Sequence, residues 1–184
     1  MSKIIVFNFI SLDGYYKGPD GDISWHRHGL QEAEYGLEQM KKDNILLYGR
    51  VTYEMMSGYW QSSEAKSGNK AMAEEMNRAE KIVFSRTLGS GNWNNTRVLK
   101  DNITDAIKRM KQEQDKDMAI LGSGSIVTQF AEAGLIDEYQ IMIDPVALGN
   151  GTPIFNGMGK PLNLQLVECS AFDSGVVLLR YQPI

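Results

Sequence analysis

The chain carries a single cysteine, Cys169, so no internal disulfide can form. With no His or Cys cluster around it, a structural zinc site is not expected. Cys169 lies in a strand-like run, where a free thiol reads as a small buried hydrophobe. Histidine is nearly as scarce. His26 and His28 are two residues apart, cannot share a helix face and have no third ligand, so no metal site is expected. No apolar run approaches the roughly 20 residues that span a bilayer. The apolar run at the N-terminus, Lys3 to Phe7, is short, broken by Asn8, and has no cleavage pattern. It reads as a first strand, and the cytoplasm is the expected compartment. Positive charge is not in excess: 19 Lys and Arg stand against 23 Asp and Glu, a net charge of −4. The densest basic stretch, Lys108-Arg109-Met110-Lys111, sits among Asp105, Glu113, Asp115 and Asp117. A nucleic-acid partner is therefore not expected.

The 184 residues, 42% hydrophobic and 23% charged, suit one domain, 1–184, with a real core. Strand patterns fall at Lys3 to Ile10, Ile45 to Tyr48, Lys81 to Ser85, Arg97 to Leu99 and Met118 to Leu121. A sixth strand, Asp137 to Asp144, alternates with Tyr139, Ile141 and Ile143 on one side. Leu164 to Phe172 and Val176 to Tyr181 form a closing hairpin around Asp173-Ser174-Gly175. Helical spacing links Leu30, Ala33, Leu37 and Met40, then Met72, Met76 and Ala79, then Ile103, Ile107 and Met110 behind a capping Asn102. A helix also runs from Gly49 towards Met56. Ser57 to Asn69 reads as loop. Ser11 to Trp25 is a long loop with three glycines and one proline, and loops of that length are usually functional. Alternating strands and helices with a final strand pair predict an α/β fold, mainly parallel, with an antiparallel C-terminal edge.

The most informative stretch runs from Met118 to Gly134. An apolar strand leads into Gly122-Ser123-Gly124-Ser125, and from Ile126 the apolar residues fall at helical spacing. Such a turn gathers free backbone N–H groups and the positive end of a helix, which suits a phosphate. Gly49-Arg50-Val51-Thr52 and Ser85-Arg86-Thr87 stand at two other strand ends. In a parallel sheet all three lie at the carboxyl edge, where ligands of open α/β sheets bind. Each alone is also ordinary turn and cap chemistry; three on one edge point to a phosphate-bearing cofactor. The dinucleotide fingerprint fails, because Val127 stands where its last glycine belongs and the turn comes late in the chain. A P-loop fails too, because Pro161 follows Gly159-Lys160. Two arginines, Arg50 and Arg86, suit the extra phosphate of NADP.

The order of motifs resembles the dihydrofolate reductase-like superfamily, in the bacterial branch related to the C-terminal reductase domain of the riboflavin-biosynthesis protein RibD. The resemblance rests on Ser11-Leu12-Asp13-Gly14, Asp22-Ile23-Ser24-Trp25, Tyr48-Gly49-Arg50-Val51-Thr52-Tyr53-Glu54 and Val83-Phe84-Ser85-Arg86. It continues through Leu121-Gly122-Ser123-Gly124, Gly134-Leu135-Ile136-Asp137-Glu138 and Pro145-Val146-Ala147-Leu148-Gly149-Asn150-Gly151. It spans essentially the whole chain and implies a three-layer αβα fold, NADPH as cofactor, a homodimer and a reductase. The implied substrate is a small heterocycle or carbonyl compound, pterin-like or a pyrimidine ribosylamine, as for 5-amino-6-(5-phosphoribosylamino)uracil reductase.

The resemblance implies that Gly49, Arg50 and Thr52 hold cofactor phosphates and that Ser85 and Arg86 face the adenosine 2′-phosphate. Gly122, Ser123, Gly124, Ser125 and Ile126 would pack along the pyrophosphate and nicotinamide. Ile10 and the loop at Asp22, Ile23 and Trp25 would cover the nicotinamide. Trp25 reads equally as a core anchor. Tyr53 and Met56, with Met55, Tyr59 and Trp60, either line a flat apolar substrate pocket or pack the core. Folate reductases carry a carboxylate in the first helix, a position only Glu32 could fill here. RibD's Asp-Asp-Pro-like segment is replaced by Tyr53 to Trp60. Asp13 and Glu32 are the candidate catalytic carboxylates; Asp13 otherwise reads as a turn residue and Glu32 as a solvated helix residue. An alternative to the reductase is a protein that binds the nucleotide cofactor without reductive chemistry.

Overall fold

The computed structural model describes residues 2–184. Ten strands and six α-helices alternate along the chain. They are β1 (Ile4–Ser11), β2 (Tyr15–Lys17), α1 (Leu30–Met40), β3 (Ile45–Gly49), α2 (Arg50–Trp60), α3 (Ser63–Gly68), α4 (Lys70–Arg78) and β4 (Lys81–Phe84), then β5 (Thr96–Leu99), α5 (Ile103–Glu113), β6 (Met118–Leu121), α6 (Gly124–Glu132), β7 (Glu138–Asp144), β8 (Thr152–Pro153), β9 (Leu164–Ala171) and β10 (Val177–Pro183). Eight strands form one sheet in the order β5-β4-β3-β6-β1-β7-β10-β9. Every pairing from β5 to β7 is parallel. β10 runs antiparallel to both β7 and β9. This is the predicted mixed α/β sheet with an antiparallel C-terminal edge.

Two cores flank the sheet and make three layers. On one face Ile4, Val6, Leu47 and Ile120 meet Ile107 of α5 and Val127 and Phe130 of α6. On the other, Leu46, Tyr48, Val83 and Ala119 meet Tyr53 of α2 and Met76 of α4, with Met40 of α1 packed against them. Successive strand residues point to opposite faces, so a strand covered on both sides is apolar along most of its length, as β3 is and as β1 is apart from the buried Asn8 and Ser11. No described helix is long and apolar enough to cross a membrane.

The structure departs from the sequence reading where tertiary contacts override local pattern. α1 is rotated about its axis: Leu30 is 86% exposed, while Glu32 and Gly36 are buried. Its inner stripe runs through Glu32 and Gly36 towards Gln39 and Met40, because Gly36 lets Met72 of α4 approach and Glu32 has a hydrogen-bond partner in Ser174. The segment 57–69 is not a loop. α2 continues to Trp60, and α3 follows behind Ser62, whose hydroxyl accepts from the Ala65 amide at 3.1 Å. β7 is buried on both faces rather than one, its polar residues being satisfied inside: Glu138 by Arg180 and Gln140 by Tyr35. Asn102 takes the N-cap position of α5 with a positive φ and no side-chain cap bond. Cys169 is exposed, because β9 is the sheet's edge strand and residues on both of its faces, Leu166 and Val167 among them, are exposed.

Candidate cofactor and substrate cleft

Two helix N-termini meet at neighbouring strand ends. α2 begins at Gly49 at the end of β3; α6 begins after Ser123 at the end of β6. The two turns interlock. Ser123 sits in the left-handed region at φ 55 and its hydroxyl does not cap its own helix. It accepts instead from the Gly49 amide at 2.8 Å. Gly122 has φ 63, and a Cβ there would lie 3.0 Å from Thr52 Cγ2. Glycine is required at this position by both backbone conformation and space. The amides of Ile126 and Val127 donate to the Ser123 carbonyl, so those of Gly124 and Ser125 head the helix. Tyr16 of β2 closes the side of this turn: a Cβ on Gly124 would lie 2.8 Å from its ring.

The paired turns form the outer wall of a cavity of about 530 Å³. It lies between the sheet and helices α1, α2 and α4. Ile23, Gly49, Arg50, Thr52, Met56, Gly122, Ser123, Gly124 and Ser125 all line it, so most of the predicted cofactor strip and one predicted substrate residue converge. Arg50 is half exposed and pairs with Glu54 at 2.9 Å, four residues along α2. A second hollow of about 470 Å³ opens beyond β4, lined by Ser85, Arg86, Lys100, Asn102 and Ile126 among others. Ile126 stands between the two spaces: it lines the second, and its Cγ1 would lie 3.5 Å from a Cβ on Gly49. Arg86 is 84% exposed at its side chain and meets Asp101 at only 3.6 Å. Ser85 accepts from the amides of Thr87 and Leu88 at 3.2 and 3.0 Å, fixing the turn after β4.

The remaining predicted residues lie elsewhere. Asp13 is a turn staple outside both spaces. Ser11 donates to it at 2.6 Å, and the amides of Leu148 and Gly149 donate at 3.1 and 2.7 Å. These bonds hold its carboxyl at a pKa of about 2, well below the ordinary range. A group so stabilised as the anion is a poor proton donor. Glu32 is neither solvated nor in the cavity; it is buried and accepts from the Ser174 hydroxyl. Tyr53 is a core residue, its hydroxyl accepting from the Trp93 amide at 3.0 Å and donating to Thr96 at 3.3 Å. Ile10 packs against the core on the α5–α6 side. Trp25 bonds the Asp22 carbonyl through its indole N–H at 3.1 Å and meets Phe9 edge-on, so it reaches the cavity wall only through Phe9.

Sequence reasoning missed two groups. The first is the rest of the cavity lining: Phe7 and Phe9 of β1, Gly36 and Met40 of α1, Asn44, and Met72 and Met76 of α4. The one available signal was methionine: five of the chain's ten methionines line this space. The second is a buried pair. His26 Nδ1 donates to Asp144 at 2.8 Å, and the Arg27 amide donates to the other carboxylate oxygen at 2.8 Å. Asp144 is completely buried, and the His26 ring stacks on Phe9 with centroids 3.7 Å apart. The pair braces an aromatic wall of the cavity from behind. Burial lowers the pKa of the adjoining His28, with His26 beside it adding to the effect.

The three-layer arrangement, with paired helix-opening turns on the carboxyl edge of its sheet, matches the dihydrofolate reductase-like fold. Residues 2–178 match the RibD C-terminal domain, and the chain belongs to that family. The Bacillus subtilis protein YyaP is 30% identical over 180 residues, covering 97% of this chain and 94% of its own. A solved structure from Shewanella sp. PV-4 aligns over 100% of this chain and 99% of that one, with a TM-score of 0.76 and 20% identity. A dihydrofolate reductase from Enterococcus faecalis, solved in complex with NADP(H), aligns over 98% and 96% with a TM-score of 0.65 and 14% identity.

Proposed function

We propose that the chain is an NADPH-dependent reductase that delivers hydride to a small heterocyclic or carbonyl substrate. One observation carries the reading: two helix N-termini, locked together by Ser123 and Gly49, face one cavity with an arginine at its rim. The residues fit the cofactor. Helix N-termini with close backbone approach accept phosphates, and a Cβ at Gly122 would crowd Thr52. Arg50 and Arg86 are held only by exposed ion pairs, which are worth about 0–1 kcal/mol and give way readily to a phosphate.

When bound, the nicotinamide supplies hydride. The chain's part is to hold and shield. Arg50 to Thr52 and Gly124–Ser125 bind phosphate oxygens, while Gly49, its amide committed to Ser123, fixes the start of the turn; Ser85 and Arg86, across Ile126, bind the adenosine end. Phe7, Phe9 and Ile23 wall the reacting region off from water. The groups of the lining that can pass a proton to the reduced product are Tyr16 and Lys17 at the mouth, and no carboxylate or imidazole lines the cavity among the described residues. That same fact favours the second reading, a cofactor-binding protein without reductase activity.

Fluorescence titration with NADPH and NADH tests the first step. The expected result is binding with preference for NADPH, the preference being lost in Arg50→Ala or Arg86→Ala. Absence of binding for both would sink both readings. NADPH oxidation with dihydrofolate or an unphosphorylated pyrimidine ribosylamine then separates reductase from binder. The homodimer implied by the family is checked by light scattering, where a monomer mass refutes it.

A further inference from the structure

The cavity extends well beyond the cofactor turns. Ile5, Phe7 and Phe9, alternate residues on one face of β1, all line it. At about 3.3 Å per residue this is a chamber about 13 Å deep. Its outer end lies at Phe9, Gly49 and Gly122. Its inner end lies at the opposite edge of the sheet, at Ile5, Ala119 and Asn44. Met40, Met55, Met56, Met72, Met76 and Trp60 form its helical side. Unbranched thioether side chains adapt to the shape of a ligand and favour contact with aromatic rings.

Charge is distributed unevenly along this chamber. The charged residues of the lining are Arg50 and Lys17, and both belong to the outer end. Arg50 opens α2 beside Gly49, and Lys17 follows Tyr16, whose ring lies on Gly124. An anion carried to the inner end would be stripped of water with no cation to meet it, at a cost of several kcal/mol. Neutral polarity is provided there. Asn44 is 9% exposed, and its side chain has no hydrogen-bond partner among the described residues. Of the other amides of the lining, Asn8 donates to the Gly122 carbonyl, Gln39 accepts from Lys42, Gln140 binds Tyr35 and Glu138, and Asn156 belongs to the outer end with Thr152 and Pro153.

We propose that the inner chamber selects an uncharged, flat, apolar molecule of two or three fused rings. A ring nitrogen or carbonyl of that molecule bonds to Asn44, and phosphate-bearing sugars are excluded. Naming this molecule as the hydride acceptor rests on the proposed reductase; its binding does not.

The test is calorimetric titration of the cofactor-free protein with phenazine, a neutral flat tricycle, and with phenazine-1-carboxylate. Phenazine is expected to bind at least tenfold tighter. Asn44→Ala should weaken it at least fivefold and leave NADPH binding unchanged. Gly36→Leu places a side chain in the chamber, where a Cβ would lie 3.4 Å from the flexible Met72 Cε. It also improves helix propensity in α1. It should abolish phenazine binding, again with NADPH binding intact, and it decides the matter should Asn44→Ala fail to fold. Equal or tighter binding of the carboxylate, or phenazine binding indifferent to Gly36→Leu, overturns the proposal. Phenazine binding that obeys both variants without any NADPH binding would refute the reductase and leave the chamber standing. NADPH binding without phenazine binding is the reverse.

Discussion

Ser123→Ala isolates the link between the turns that open α2 and α6, the proposed cofactor turns. The substitution removes the hydroxyl that accepts from the Gly49 amide at 2.8 Å. Ser123 is only 5% exposed, so water reaches the orphaned donor poorly. A buried donor left unpaired costs about 1–3 kcal/mol. Left-handed strain at φ 55 is common to serine and alanine and cancels. For a chain of this size, 1 kcal/mol moves Tm by about 2–4 °C, so a loss of about 2 kcal/mol lowers Tm by about 4–8 °C. Ser123→Gly loses the same bond but relieves about 1–2 kcal/mol of left-handed strain. About 0.5–1 kcal/mol of that returns as unfolded-state entropy. The expected order is therefore wild type, then glycine, then alanine, with glycine about 1–4 °C above alanine. NADPH affinity should fall severalfold in both, because the turns lose their common register. Differential scanning fluorimetry and NADPH titration read the two effects. An alanine variant within 1 °C of wild type and with unchanged NADPH affinity would refute the reasoning.

Other outcomes follow from groups outside these two turns. Asp144→Ala leaves His26 and the Arg27 amide without their buried partner and should cost about 3–5 kcal/mol in urea unfolding, with weaker ligand binding through loss of the Phe9 brace. Lys81 is buried, its ammonium bonded to the carbonyls of Asn77, Ala79 and Asn94, and burial pulls its pKa down to about 8 from 10.5. The unfolded chain then binds more protons between pH 8 and 10.5, so stability should rise with pH across that window by up to about 3 kcal/mol relative to Lys81→Met. Equal slopes for the two proteins would contradict this. Asp13, with its pKa lowered to about 2 from 3.8, contributes stability that is complete above pH 3.8 and lost as pH falls through 2. Asp13→Asn should flatten that acid limb in pH-dependent melting and leave NADPH affinity unchanged.

The elements and the parallel sheet were legible because apolar periodicity is a local property. Met118 to Leu121 followed by Gly122-Ser123-Gly124-Ser125 predicts a strand, turn and helix end, and the fold contains all three. What escaped depended on rotation and distance. Leu30, Ala33, Leu37 and Met40 share helical spacing, yet the buried stripe of α1 is set by Met72 of α4 and by Ser174, which no local window contains. His26 and Asp144 are joined only by the fold, 118 residues apart. Asp13 and Glu32 are carboxylates in a plausible region, but which carboxylate is tied down as a structural anion depends on distant amides and hydroxyls. Tyr53 and Met56 lie three apart on α2; one enters the core and the other the cavity, because the chamber follows the face that carries Thr52, Met55, Met56 and Trp60, and Tyr53 is turned off it towards Trp93.

The position of β1 at the centre of the sheet has a consequence for biosynthesis. Its neighbours are β6 and β7, which come more than a hundred residues later in the chain. At 5–20 residues per second, Ile-Ile-Val-Phe-Asn-Phe-Ile-Ser leaves the ribosome about 5–20 s before its first partner strand exists. Contacts of such high sequence separation also slow refolding, since the closure of a long loop precedes any gain from pairing. Of the strands of the eight-stranded sheet, β1 thus waits longest for a partner, and in the interval it is an exposed apolar segment that a holdase chaperone would bind.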